Sequence, residues 1–217
     1  MRDTSTVNDH DPRALRRAVD HLRRIDPVLA RVVRDVGPCR LEVDRRGGAF
    51  ASLAEAILYQ QITGKAALSI HRRLCALVGR RHPRPEDLLA ATDAQLREVG
   101  LSRQKIRYLR DLSEKVRNGL SLARVSRLPD DDVIAALTTV MGIGRWTAEM
   151  FLIFRLGRLD VLPVDDYGVR KAMQRAYRMR SLPKPERMRK LAEPWRPYRT
   201  VASWYLWKSI DGGAPLD

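Results

Sequence analysis

Two stretches of this 217-residue chain carry side chains and backbone groups suited to bind an anion or stabilise a charge. The first is Leu137-Thr-Thr-Val-Met-Gly142-Ile-Gly144-Arg-Trp146-Thr-Ala-Glu-Met150. Two helical patterns meet there in a Met-Gly-Ile-Gly hairpin, in which Gly142 and Gly144 permit a tight turn and the approach of a foreign backbone. The amides of Gly144 to Thr147 then open the second helix, where unsatisfied N–H groups can bind an anion. A plain corner between two helices explains the same glycines, so the hairpin alone is weak evidence. The second stretch is Leu162-Pro-Val-Asp165-Asp166-Tyr167-Gly-Val-Arg170. It precedes a helix with an apolar face of Val169, Ala172, Met173, Ala176 and Tyr177, which Asp165 or Asp166 would start. Capping is one reading of that carboxylate. Stabilising a developing positive charge is the other, because the helix dipole favours an anion at this end. The two roles coexist.

The elements that must position these groups read as helical nearly throughout. Periodicity predicts amphipathic helices over 12–24 and 26–36. Apolar stripes follow at Phe50, Leu53 and Ile57, at Ile70, Leu74, Leu77 and Val78, and at Ile106, Leu109, Leu112 and Val116. Pro129 and Asp130 open a helix through Leu137, with Asp131 and Asp132 in its first turn. Further helices cover 145–156, 166–177 and 197–209. Strand alternation is limited to a weak Leu-Glu-Val-Asp at 41–44. The pattern predicts an all-α fold of about ten helices. In the last helix, Tyr198, Val201, Ala202 and Tyr205 form the apolar stripe, and Trp207 falls about 180° from it at 100° per residue. A Trp there either lines a cleft or packs against the other half of the fold; Trp195 and Trp204 read as core.

Composition narrows the class. Hydrophobic residues are 44% and charged residues 31%, as in ordinary globular chains. No apolar run approaches a membrane span of roughly 20 residues, and the opening Met-Arg-Asp-Thr-Ser-Thr-Val-Asn-Asp-His-Asp-Pro lacks a signal-peptide core. The expectation is a cytoplasmic, nucleoid-associated monomer without a membrane partner. Only Cys39 and Cys75 are present, which excludes a four-thiolate iron–sulfur cluster, a cysteine zinc site and a disulfide scaffold. Lys and Arg number 41 against 26 acids, a net charge of +15, and such an excess attracts nucleic acid. Residues 131–166 depart from it, with 3 basic and 6 acidic side chains. If this segment meets a polyanion, backbone groups must make the contact.

Four motifs in order are more specific than any one alone: Ile57-Leu-Tyr-Gln60-Gln61-Ile-Thr63, Gly142-Ile-Gly-Arg-Trp146-Thr-Ala, Leu162-Pro-Val-Asp-Asp166-Tyr167, and Trp195-Arg-Pro-Tyr-Arg through Leu206-Trp207. Over residues 50–207 the chain resembles the helix-hairpin-helix/Gly-Pro-Asp DNA glycosylases, and within them the AlkA/Mag-type 3-methyladenine DNA glycosylase II group. The resemblance implies two helical subdomains, 47–158 and 1–46 with 159–217, with an active-site cleft between them. It implies a monofunctional enzyme that flips alkylated bases out of double-stranded DNA and hydrolyses the N-glycosidic bond, in base excision repair. A non-catalytic helix-hairpin-helix binder and a nucleoid-coating protein are the competing readings.

Carried over position by position, the resemblance makes Asp166 the catalytic carboxylate and leaves Asp165 to tie the helix start. Trp146 stands where bifunctional relatives carry a nucleophilic Lys, and no Lys lies between Lys115 and Lys171, so no Schiff base or strand cleavage is expected. Trp146, Tyr167 and Trp207 correspond to base-stacking positions. Gln60, Gln61 and Thr63 correspond to the wedge loop, with Gln61 equally able to cap a helix end inside the protein. The hairpin would bind DNA through Gly142, Gly144 and Thr147, and hold a monovalent cation, sodium or potassium, on the carbonyls of Thr138, Val140 and Gly142. No other cofactor is implied. The lesion range stays open among 3-methyladenine, 7-methylguanine, hypoxanthine, 1-methyladenine and 3-methylcytosine.

Overall fold

The computed structural model describes residues 12–211. The reading of the first residues as lacking a signal-peptide core falls outside them. In chain order the helices are α1 (Pro12–Ile25), α2 (Pro27–Val36), α3 (Gly48–Tyr59), α4 (Gly64–Val78), α5 (Pro85–Ala90), α6 (Asp93–Glu98) and α7 (Arg103–Arg117). They continue as α8 (Leu122–Val125), α9 (Asp130–Thr138), α10 (Arg145–Phe151), α11 (Tyr167–Ala176), α12 (Pro185–Leu191) and α13 (Arg199–Asp211). A π-helical turn occupies Leu152–Leu156 and a 3-10 turn Glu193–Trp195. Among the described residues there is no strand, and 41–44 is irregular. Among the described residues, thirteen α-helices replace the expected ten or so. The extra ones, α5, α6, α8 and α12, have four to seven residues, too few turns to register as a period. Their punctuation is local instead: Thr92 and Gln95 form a reciprocal capping box on α6, and Ser121 caps α8.

The chain divides into two compact units, Asp44–Phe151 and Met1–Val43 with Leu152–Asp217. The later boundary falls between Phe151 and Leu152, where the π-helical turn begins. In the central unit, α7 is the spine. Ile106, Leu109 and Leu112 are buried as the stripe predicts, and α7 packs against α3, α5 and α6. Helix α3 buries Leu53, Ala54, Ile57 and Leu58. Of the second stripe only Leu74 is fully buried, while Leu77 is exposed. Helices α9 and α10 pack on each other as a hairpin pair.

The other unit is built around α13, which packs against α1, α2 and α11. Its buried surface is no stripe: Thr200, Val201, Ala202, Ser203, Tyr205 and Leu206 are all at 0% exposure. A helix buried on nearly every side must satisfy its polar groups internally. Thr200 Oγ1 donates to Arg158 O and accepts from Val161 N, and Ser203 Oγ donates to Arg199 O. Trp195 and Trp204 are core residues, as predicted. Asp26 ties three elements together. Its Oδ1 caps α2 through Val28 N and Leu29 N, and its Oδ2 accepts from Tyr177 Oη at 2.5 Å and Trp195 Nε1 at 2.9 Å. Burial pushes the Tyr177 hydroxyl far above the ordinary tyrosine value, and the bond to Asp26 and that carboxylate's charge push it further. Tyr177 therefore stays a neutral donor.

Candidate active site

The carboxylate at the start of α11 belongs to Asp166. Its Oδ1 accepts from Val169 N at 2.8 Å, the bond that closes the first turn of the helix. The same Oδ1 accepts from Trp207 Nε1 at 2.8 Å. Two donors on one oxygen, one from the backbone of α11 and one from a side chain of α13, fix the orientation of the carboxylate. The structure corrects the role expected of Asp165, which is exposed while its neighbour does the capping. The N-cap role, open between the two by spacing, thus falls to Asp166.

Two neighbours complete this arrangement, and sequence reasoning passed over both. Phe154, carried on the π-helical turn, stacks on Trp207 with centroids 5.8 Å apart and planes inclined by 30°. Gly168 sits in the angle between the two partners. A methyl group there would meet Asp166 Oδ1 and Trp207 Cδ1, each at 3.1 Å. The signal for Gly168 was present, since a glycine in the first turn of a helix is a poor helix former that needs a reason. Phe154 carried no such signal, because a regular helix over 145–156 gives no warning of a π-turn that re-aims its side chains. Tyr167, next to Asp166, is 66% exposed. Trp207 itself is half-buried, with its indole N–H engaged by Asp166 and its ring stacked on Phe154.

The hairpin belongs to the central unit. Gly142 has φ +82°, a conformation that demands glycine, and its Cα lies against the Tyr108 ring so closely that any side chain would collide with it. Val140 and Ile143 are buried and anchor the turn, while Met141 and Gly144 are exposed. Ile143 N donates to Val140 O at 3.1 Å and Ala148 N to Gly144 O at 3.1 Å, so helical bonding begins at Gly144. The first amides of α10 therefore precede any i−4 carbonyl of their own helix. Trp146 is 45% exposed on the first turn, and Thr147 is buried. Arg145 Nε bonds Glu149 at 2.9 Å, which matches the one cation of this turn with a carboxylate on its own helix.

Gln60, Gln61 and Thr63 separate in role. Gln60 Nε2 donates to Gly142 O at 2.8 Å, joining the end of α3 to the hairpin. Gln61 does not continue the stripe of α3. The helix ends at Tyr59, and Gln61 is exposed with φ +57°, a left-handed backbone rare for a residue with a side chain. Thr63 Oγ1 caps α4 by accepting from Ala66 N. Among the described residues there is no group of three or more His, Cys, Asp or Glu able to hold a metal ion. No helix among them is long and apolar enough to cross a membrane.

The chain is similar to known proteins over most of its length. Residues 54–197 match the family of HhH-GPD superfamily base excision DNA repair proteins. The chain is 34% identical over 200 residues to DNA-3-methyladenine glycosylase 1 of Schizosaccharomyces pombe, covering 90% of this chain and 88% of that protein. It is 31% identical to the alkylbase DNA glycosidase-like protein mag2 of the same yeast, over 89% of this chain and 92% of the relative. Among solved structures, the S. pombe 3-methyladenine DNA glycosylase Mag1 in complex with abasic DNA superposes with a TM-score of 0.78 at 33% identity, covering 90% of this chain and 97% of Mag1. A DNA-3-methyladenine glycosidase from Bacillus halodurans does so with a TM-score of 0.80 at 34% identity, covering 94% and 91%. With a glycine hairpin between α9 and α10, a capping aspartate on α11 and these relatives over nine-tenths of its length, the chain belongs to the HhH-GPD superfamily of base excision DNA repair proteins.

Proposed function

We propose that the protein is a monofunctional DNA glycosylase that removes alkylated bases of the 3-methyladenine type from double-stranded DNA. The observation that carries this reading is the Asp166 carboxylate, held by Val169 N and Trp207 Nε1 on a shared oxygen, in a chain similar over 90% of its length to named 3-methyladenine glycosylases.

The chemistry asks little of an acid. An alkylated purine carries a formal positive charge, so it leaves with the electron pair of the C1′–N bond as a neutral base. The sugar becomes oxocarbenium-like, and Asp166 stabilises that cation electrostatically. Water adds its oxygen to C1′ and gives up its proton, leaving an abasic site. Trp207 orients Asp166 through its indole N–H, and Tyr167 and Trp146 offer exposed aromatic faces to an electron-poor base. Gln61, exposed on its left-handed backbone, is suited to fill the space of an extruded nucleotide.

Anchoring falls to the hairpin. The amides of Gly144 and Thr147 would donate to a DNA phosphate. The carbonyls of Thr138, Val140 and Gly142 would offer neutral oxygen ligands of the kind that suit a sodium or potassium ion. Val140 O and Gly142 O already accept from Ile143 N and Gln60 Nε2, which is compatible with a ligand role because a carbonyl oxygen has two lone pairs. A bound cation there would add positive charge to an acidic segment.

The test is release of base from methylated duplex DNA, read with alkali-labile sites. Asp166→Asn should bind DNA nearly as the parent does while excision falls by about a hundredfold to a thousandfold. Unimpaired excision by Asp166→Asn would overturn the mechanism. Tight binding without release by the parent chain would leave a non-catalytic hairpin protein, and a borohydride-trapped covalent complex would contradict the absence of lyase chemistry.

A further inference from the structure

Helix α7 carries a polar line at Gln104, Tyr108, Asp111 and Lys115, residues three or four apart and therefore on one face. That line leads to the hairpin. Asp111 Oδ2 accepts from Met141 N at 2.7 Å. Lys115 Nζ reaches both Asp111 oxygens at 2.7 Å. The Tyr108 ring lies against Gly142, and its hydroxyl is held by Gln104 Nε2 at 2.6 Å. Gln60 Nε2 meets Gly142 from the end of α3. Met141 and Gly142 are thus gripped at N–H, Cα and C=O by three side chains that are distant in sequence.

An ordinary turn between two packed helices needs no such framework. Two facts say what this one serves. The hairpin segment is net acidic, with 3 basic and 6 acidic side chains over 131–166, so its recognition of a polyanion has to come from aimed backbone dipoles, whose strength depends on direction. A carboxylate beside a phosphate-binding turn would also repel the ligand, and the Lys115 ammonium cancels that charge locally.

We infer that Asp111 is a positioning residue for DNA binding: it holds the Met141 amide, and with Tyr108 and Gln60 it sets the hairpin in the phosphate-accepting conformation before DNA arrives. This rests on the reading of the hairpin as a phosphate site. The preorganisation appears as affinity, because a hairpin that must be ordered on binding loses part of its interaction energy to that ordering.

The experiment uses the full chain, a short duplex with an abasic-site analogue for binding, and a duplex carrying 7-methylguanine for single-turnover excision. Asp111→Ala should raise the Kd about tenfold, the loss of one hydrogen bond to a charged acceptor. Its excision rate at saturating protein should stay within about twofold. Asp111→Asn, whose side-chain oxygen still accepts from Met141 N, should recover most of the affinity. Wild-type binding by Asp111→Ala, a loss in the saturated rate in place of affinity, or equal weakening by the Ala and Asn variants would each overturn the inference. Gly144→Pro, which deletes a hairpin N–H, runs alongside. If Gly144→Pro loses affinity and Asp111→Ala does not, the brace alone is wrong; if Gly144→Pro binds normally, the phosphate reading falls and takes the inference with it. Should Asp111→Ala fail to fold, amide exchange in the parent chain decides. Slow exchange at Met141 supports the brace, and exchange at open-loop rates overturns it.

Discussion

The hairpin and the Asp166 site solve opposite problems. In the function proposed, the hairpin works with backbone groups, in a segment where acidic side chains outnumber basic ones, and its side chains are mostly anchors. Val140 and Ile143 are buried, and Gln60, Tyr108 and Asp111 hold it from outside its own sequence. The Asp166 site works with side chains, and the backbone is the anchor: the carboxylate is fixed by an α11 amide and by an indole from α13. Binding a phosphate that recurs along any DNA strand requires only N–H groups aimed in one direction. Stabilising a transient cation requires a full charge held still. Each region accordingly has a glycine where a side chain would spoil it, Gly142 under the Tyr108 ring and Gly168 between Asp166 and Trp207.

That contrast can be broken by substitution. The largest structural effect should come from Gly142→Ala, which combines a left-handed backbone with a collision against Tyr108. Stability should fall by about 2–4 kcal/mol, with DNA affinity lost alongside, as read by urea denaturation and anisotropy. Preserved affinity would separate the hairpin from binding. Trp207→Phe keeps an aromatic ring but removes the N–H donor together with the five-membered ring that carries it. Loss of a hydrogen bond to a carboxylate amounts to about 1.5–3 kcal/mol, so single-turnover excision should drop roughly tenfold to a hundredfold while the Kd for an abasic duplex hardly moves. Equal loss in both quantities would make Trp207 a binding residue only. Gly168→Ala is subtler. Helix propensity gains about 1 kcal/mol, whereas the new methyl presses Asp166 and Trp207 apart, so excision should fall several-fold at unchanged or higher melting temperature.

The smallest effect is electrostatic. Burial raises the Asp111 carboxyl, but the hydrogen bonds from Lys115 and Met141 N–H and the Lys115 charge outweigh it, leaving Asp111 below its ordinary value of 3.8. A depressed carboxylate contributes stability that is complete above the unfolded value and fades as pH falls through the folded one. Denaturation midpoints should therefore decline more steeply below about pH 4 in the parent than in Asp111→Asn. Parallel pH curves would mean that the carboxylate contributes no charge-linked stability.

How far the sequence can be read depends on the reach of each interaction. Helices α1, α2, α7 and α11 were legible because their apolar faces repeat over several turns. Helices α5, α6, α8 and α12 were not, since a single turn or two has no measurable period. The hairpin was legible from Gly142 and Gly144. Trp207 was singled out correctly as a residue opposite the stripe of its helix, yet α13 proved buried on nearly all sides, so the stripe was a weaker guide than it looked. Gln61 seemed to extend α3 by spacing, but the helix ends at Tyr59 and Gln61 is itself the left-handed residue through which the chain turns. The choice between Asp165 and Asp166 as cap was not settled by spacing either, because both precede the helix and only one meets Val169 N.

What the sequence determined by itself was local or additive: the all-helical class, the glycine turn, the helix start at a carboxylate and the charge that favours DNA. These follow from propensities, from φ constraints and from summed charge, none of which needs a partner far along the chain. Tertiary structure alone decided which groups converge. Trp207 on Asp166 spans 41 residues, Asp111 on Met141 spans 30, and Gln60 on Gly142 spans 82. A hydrogen bond depends on atoms within about 3 Å and on their direction, and nothing in the order of residues specifies either until packed helices have fixed both ends.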